Sequence, residues 1–204
     1  MPHAEIAIAS ASAPALTAVL FGLSGCLVDF GSRARTDSPS PDSQATPGAL
    51  KILRSLQDQG VPCAWLDELP PAVTTPLAAT LPAWVKATSP SSIRWPAPHA
   101  CWQALMELNI ERLEGCVLVS GEPRLLQSGL NAGLWTIGLA SCGSLCGMAP
   151  EQWQALSEQE RELKRGKATL ALYGLGVHSV IDHLGELGTC LADISLRQLK
   201  GEKP

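Results

Sequence analysis

Short apolar runs alternate with helix-length segments along most of the chain, and this alternation restricts the fold more than any other feature. Residues 17–23 (TAVLFGL), 61–66 (VPCAWL), 84–86, 115–120 (GCVLVS), 134–139 (LWTIGL) and 177–181 (VHSVI) read as strands. Between them lie helical patterns. One follows Thr46-Pro47, an N-cap and a first-position proline, carries Leu50, Leu53 and Leu56 on one side and stops at Gly60. Others cover 71–80, 99–108, 123–132 (ending at Gly133), 150–172 and the end of the chain from about residue 184. Strands separated by helices need crossover connections, so the sheet is expected to be mainly parallel, of about five to six strands, with helices on both faces. Ligands in such sheets bind beyond the carboxyl ends of the strands, where the strand order reverses.

The 204 residues suffice for one domain with a full core and are too few for two large ones. Charged residues make up 17% of the chain and apolar types 46%, a globular balance. A net charge of −4 gives no reason to expect nucleic acid, and the basic cluster Lys164, Arg165 and Lys167 reads as a solvated helix face. No apolar run approaches the roughly 20 residues that span a bilayer, so no membrane association is expected. Seven cysteines, an odd number, do not read as a disulfide framework and fit a reducing, cytoplasmic setting. Residues 1–16 read as a flexible tail without a secretory signal, and 17–200 as the folded domain. Residues 31–47 (GSRARTDSPSPDSQATP) read as a linker.

The stretches after the strands carry a family resemblance. AVLFGLSGCLVDFGS resembles the first motif of phosphonoacetaldehyde hydrolases, a branch of the haloacid dehalogenase superfamily. WPAPHACWQALMELNI, then VLVSGEPRLLQSGLNAGLWTIG with its Asn131-Ala132-Gly133 and Trp135-Thr136, is similar to that branch's later motifs, and GVHSVIDHLGEL to its closing strand and helix. The resemblance implies a Rossmann-like core, a Mg²⁺-assisted reaction, an aspartate nucleophile after the first strand and a cap-domain lysine that forms a Schiff base.

The residues that would perform this chemistry are replaced. The nucleophile position falls on Gly22, the next acidic position of the superfamily on Ser24, and the second-motif hydroxyl on Ala64 or Trp65. The two acids expected around the metal fall on Gly121 and Leu125. The basic residue before Pro-Ala-Pro falls on Trp95, with Arg94 beside it, and linker 31–47, standing where a cap would be inserted, has no lysine. Mg²⁺ is a hard ion held by carboxylate oxygens, and covalent catalysis needs a nucleophile. No catalytic residue and no cofactor are therefore expected. The expectation is a fold that outlived its hydrolase activity and acts by binding a small ligand or a protein partner. The alternative is a divergent hydrolase that uses Mg²⁺ with Cys26, Ser24 or Glu122.

Candidate pocket residues are Gly22, Ser24, Gly25, Cys26, Arg94, Ser120 and Glu122, with the Ser24-Gly25 turn offering backbone N–H groups to an anion. Asp67 and Glu68 would add negative charge nearby and otherwise read as turn residues. Cys142-Gly-Ser-Leu-Cys146 lacks the second ligand pair of a zinc site and reads as a loop with free thiols, a regulatory disulfide being the other option. His99 and Cys101 read as the start of a helix, and His178 and His183, bracketing Asp182, as structural. Trp65, Trp84 and Trp135 read as core. Trp95, Trp102 and Trp153 are candidates for an uncapped face that could join copies into a homo-oligomer.

Overall fold

The computed structural model describes residues 16–36 and 43–204. The expected N-terminal tail, apart from residue 16, and linker positions 37–42 lie outside the described residues. Six parallel strands form one sheet: β1 (Ala18–Gly22), β2 (Cys63–Leu66), β3 (Lys86–Ala87), β4 (Cys116–Ser120), β5 (Trp135–Leu139) and β6 (Ser179–Ile181), in the order β3-β2-β1-β4-β5-β6. The register pairs Leu20 with Ala64 on one side of β1 and with Leu118 on the other. The strand order reverses between β1 and β4, which puts the crevice of this fold at the carboxyl ends of those two strands.

Every residue of β1, β4 and β5 is buried, as a parallel sheet covered on both faces requires. The pleat sends alternate side chains to opposite cores. Val19, Phe21, Val117 and Val119 meet α1 (Ala49–Asp58) and α7 (Leu187–Leu199). Ala18, Leu20, Cys116 and Leu118 meet α3 (His99–Glu107) and α4 (Pro123–Asn131). The α2 helix (Pro71–Ala78) places Leu77 against Leu23 and Val28, just beyond β1. No helix among the described residues is long and apolar enough to cross a membrane.

Three local expectations need correction. Thr46-Pro47 does not start α1. The N-cap is Gly48, with φ at 86°, while the Thr46 hydroxyl donates to the Cys26 carbonyl and its N–H donates to Leu27 O at 2.9 Å. Thr46 thus staples the β1–α1 connection onto the end of β1. The strand expected at 84–86 is displaced to Lys86–Ala87 because Trp84 and Val85 belong to the turn after α2, where the Val85 N–H donates to Pro82 O. The helix expected over 150–172 is two, α5 (Pro150–Ala155) and α6 (Glu158–Gly174). Ser157 restarts the chain with a capping box: its Oγ accepts from Glu160 N, and Glu160 Oε2 accepts from Ser157 N at 2.9 Å.

Ser157→Ala removes one half of that box. It is expected to lower stability by about 1 kcal/mol, read as a lower urea midpoint with unchanged slope.

Candidate functional site

At the carboxyl end of β1 the chain turns through residues 23–32 without leaving the interior, and each of these residues is buried. A side chain at Gly22 would begin 2.7 Å from Ser120 Oγ, 3.3 Å from Leu125 Cδ2 and 3.4 Å from Cys26 Cβ. A side chain at Gly22 would therefore require Ser120 Oγ to shift and would sit tightly against Leu125. At Gly121 a Cβ would press on the Gly25 carbonyl and lie 2.7 Å from Cys142 O. Gly143, with φ at 96°, backs onto the Gly121 carbonyl. Three backbone segments, after β1, β4 and β5, therefore meet at glycines with no room for side chains.

Most polar groups in this region pair with one another, while Ser32 Oγ and Arg35 Nε are buried without a hydrogen-bond partner. Ser24 Oγ donates to Asp29 Oδ2 at 2.7 Å, and the Asp29 carboxylate also accepts from Arg33 N and Ala34 N, both at 2.9 Å. Asp29 thereby holds the single 3₁₀ turn Arg33–Arg35 over the end of β1. The N–H groups expected to receive an anion are occupied: Ser24 N donates to Asp67 Oδ2 at 3.1 Å, and Gly25 N to Val28 O at 2.9 Å. Cys26 is fully buried, and its thiol donates to Val119 O at 3.4 Å. Burial, reinforced by Cys142, pushes the Cys26 thiol well above its usual range, the opposite of an activated nucleophile. Ser120 is fully buried too, its Oγ accepting from Glu122 N at 3.0 Å.

Sequence reading missed the residue that completes the closure. Arg35, from the 3₁₀ turn, donates from Nη2 to Asp67 Oδ1 at 2.7 Å. Its Nε lies 3.9 Å from Glu122 Oε2, and its guanidinium sits 5.1 Å from the centre of the Trp95 ring. A protein cation thus lies between the acid that follows β2 and the acid that follows β4. The Asp67 side chain is fully buried and also accepts from Leu69 N at 2.9 Å. Burial raises the Asp67 pKa even with Arg35 and these N–H groups drawing it down. A second arginine, Arg124, links Glu68 (3.3 Å) to the Trp95 carbonyl. Trp95, 2% exposed with Arg35 over its ring, therefore does not form an exposed face.

These residues do not suit Mg²⁺. Asp29, Asp67 and Glu122 are each engaged by protein N–H or O–H donors, and no group of three acidic, cysteine or histidine side chains able to hold a metal occurs among the described residues.

The remaining candidates lie apart from one another. Arg94 is exposed and lines a hollow of about 230 Å³ beside Asp67, Glu68 and Thr88. Trp65 is half-buried on β2. Cys142 and Cys146 are free thiols, as are the other five cysteines, with Cys142 fully buried and Cys146 half-buried. His99 is exposed beside Trp102, and Cys101 is buried against Ser128. His178 accepts from Thr136 N at 3.0 Å through Nδ1, and burial followed by Arg197 lowers its pKa.

No protein-family model matches the chain. Curated relatives do: a phosphonoacetaldehyde hydrolase from Klebsiella pneumoniae is 36% identical over 121 residues, covering 59% of this chain and 45% of that protein. One from Bordetella pertussis is 31% identical over 168 residues, covering 79% of this chain and 61% of that protein. The chain thus spans about half to three fifths of the length of these relatives. Among solved structures, one 66% identical superposes with a TM-score of 0.89, covering 92% of this chain and 98% of that chain. A phosphonoacetaldehyde hydrolase-like protein from Oleispira antarctica shares the fold at 22% identity, with a TM-score of 0.85 over 94% of this chain and 97% of its own. Together with the strand order, these likenesses give the chain the α/β fold of that phosphonoacetaldehyde hydrolase-like protein. In sequence it is a homologue of the phosphonoacetaldehyde hydrolases over part of their length.

The Arg35–Asp67 pair gives a signed pH test. Asp67 has a raised pKa in the fold, so its contribution to stability is present at low pH and is lost as pH rises through the folded-state value. Removing the guanidinium raises that value further. Arg35→Met is therefore expected to cost about 3 kcal/mol at pH 7 and much less in acid, measured by urea unfolding across that range.

Proposed function

We propose that this homologue lacks Mg²⁺-dependent hydrolase activity and acts by binding a small ligand or a protein partner. The observation that carries the reading is the closed switch point: Gly22 stands where a nucleophile is expected, with Ser120 Oγ 2.7 Å from where its Cβ would be. The Arg35 guanidinium between Asp67 and Glu122 supports it, since a fixed protein cation there competes with a metal. The β1–α1 connection supports a core without a cap, because its described residues form only one 3₁₀ turn and a strap stapled by Thr46. A cytoplasmic location fits the seven free thiols.

Ser24, Cys26 and Glu122 give a substituted mechanism little support. Ser24 is buried and donates to Asp29, whose carboxylate is also held by the Arg33 and Ala34 N–H groups; the Cys26 thiol is buried with a raised pKa, and Glu122 caps α4 by accepting from Arg124 N at 3.3 Å.

The test is hydrolysis of phosphonoacetaldehyde and of a generic phosphomonoester, with and without Mg²⁺. No turnover above buffer is expected in either case. Gly22→Asp is expected to restore none and to lower the melting temperature, because the new carboxylate meets Ser120 and Leu125 in a full site. Mg²⁺-dependent turnover by the unaltered chain overturns the proposal.

A further inference from the structure

A hollow of about 420 Å³ opens away from the switch point, where the chain leaves β5 and β6, within the roughly 300–1,000 Å³ range of small-molecule sites. One wall is apolar. Phe30 and Trp153 face each other at 6.2 Å between ring centroids, tilted by 52°, with Pro47 and Pro150 at the rim. The other wall is the polar start of α6, with Asp182 and His183 after β6.

The charges of this wall are not all matched. Arg165 is committed to Asp182 at 2.6 Å. Arg161 has no ion pair among the described residues, and its Nε is buried without a hydrogen-bond partner. A buried guanidinium N–H left unmade is costly and calls for an acceptor. Glu158 has no ion-pair partner among the described residues, and Glu162 reaches only Arg165, at 3.9 Å. His183 accepts from Gly185 N at 3.1 Å through Nδ1, which fixes the ring proton on Nε2 and leaves that nitrogen a donor.

We infer that this hollow binds a small zwitterion with an aromatic body, its carboxylate on Arg161 and His183 and its ammonium against Glu158 and Glu162. The planar fork of Arg161 suits a carboxylate. The two glutamates favour an ammonium and oppose a dianion such as phosphate. Phe30 and Trp153 supply the surface for a ring. The inference rests on the proposed function in that it takes the chain to be a binding protein, and it deepens that reading by naming a site and a ligand class.

The experiment is isothermal titration of the full chain with L-phenylalanine as the probe. N-acetyl-L-phenylalanine lacks the ammonium, L-phenylalaninamide lacks the carboxylate, and inorganic phosphate tests the dianion. Saturable binding of L-phenylalanine is expected, with each analogue weakened about tenfold or more, the scale of one charge-assisted contact. Arg161→Gln is expected to weaken L-phenylalanine by a similar factor while leaving the amide unchanged. Melting curves check folding, and Arg161→Lys, which keeps the charge but not the fork, is expected to fall between. The inference is overturned if L-phenylalanine gives no saturable heat, if Arg161→Gln binds it as well as the unaltered chain, or if the acetylated analogue or phosphate binds equally or better. Hydrolase turnover would sink the proposed function without changing these heats. Flat titrations would sink the zwitterion site and leave the closed switch point standing.

Discussion

A fully buried carboxylate at the edge of a parallel sheet must be paired, and the Asp67–Arg35 ion pair is what the rest of the switch point is arranged around. Arg35 can reach Asp67 because Asp29, itself buried, holds the 3₁₀ turn through two backbone N–H groups and the Ser24 hydroxyl. The loop bearing Asp29 stays in place because Gly25, Gly121 and Gly143 let three backbones touch. Each layer depends on the one beneath it. The sheet order sets a crevice between β1 and β4, the glycines close its floor, and an arginine covers it.

The same geometry supports the proposed loss of hydrolase activity. The resemblance to the phosphonoacetaldehyde hydrolases implies a carboxylate at the end of β1. Here Gly22 gives up that group, and Ser120, Leu125 and Cys26 lie against the position it would occupy. Acidic residues are present, but Asp67 faces Arg35, Asp29 faces backbone N–H groups and Glu122 caps a helix. A metal would have to displace hydrogen bonds at every one of them. One open hollow lies beyond β5 and β6, and another adjoins Asp67, Glu68 and Trp95.

Much of the fold was legible because its signals are local. The apolar runs that became β1, β4 and β5 are continuous because both faces are covered, and Gly60 and Gly133 mark the helix ends with positive φ. Thr46 misled because a threonine before a proline has the form of a helix cap, while tertiary contact with Cys26 took its hydroxyl. The α5–α6 break was readable in Ser157-x-x-Glu160, a local pattern hidden within an otherwise helical stretch. At the site, the sequence shows Gly22, Gly121 and Leu125 where the resemblance implies acids, and Ser24 where only other branches of the superfamily carry one. Arg35 was not legible, since an arginine in a polar linker says nothing about the acids it meets 32 and 87 positions away. Nor could spacing show that Arg161, Trp153 and His183 line one hollow, because they converge from two helices and a strand end.

The proposed closure of the switch point to metal rests on the protein's own side chains. The most direct measurement is the melting temperature as Mg²⁺ is titrated at constant ionic strength, because a ligand that binds only the folded state must raise it. No change is expected beyond that given by a matched concentration of sodium chloride. A saturable rise specific to Mg²⁺ would contradict the closure, since some carboxylates of the fold would then be free to hold the ion.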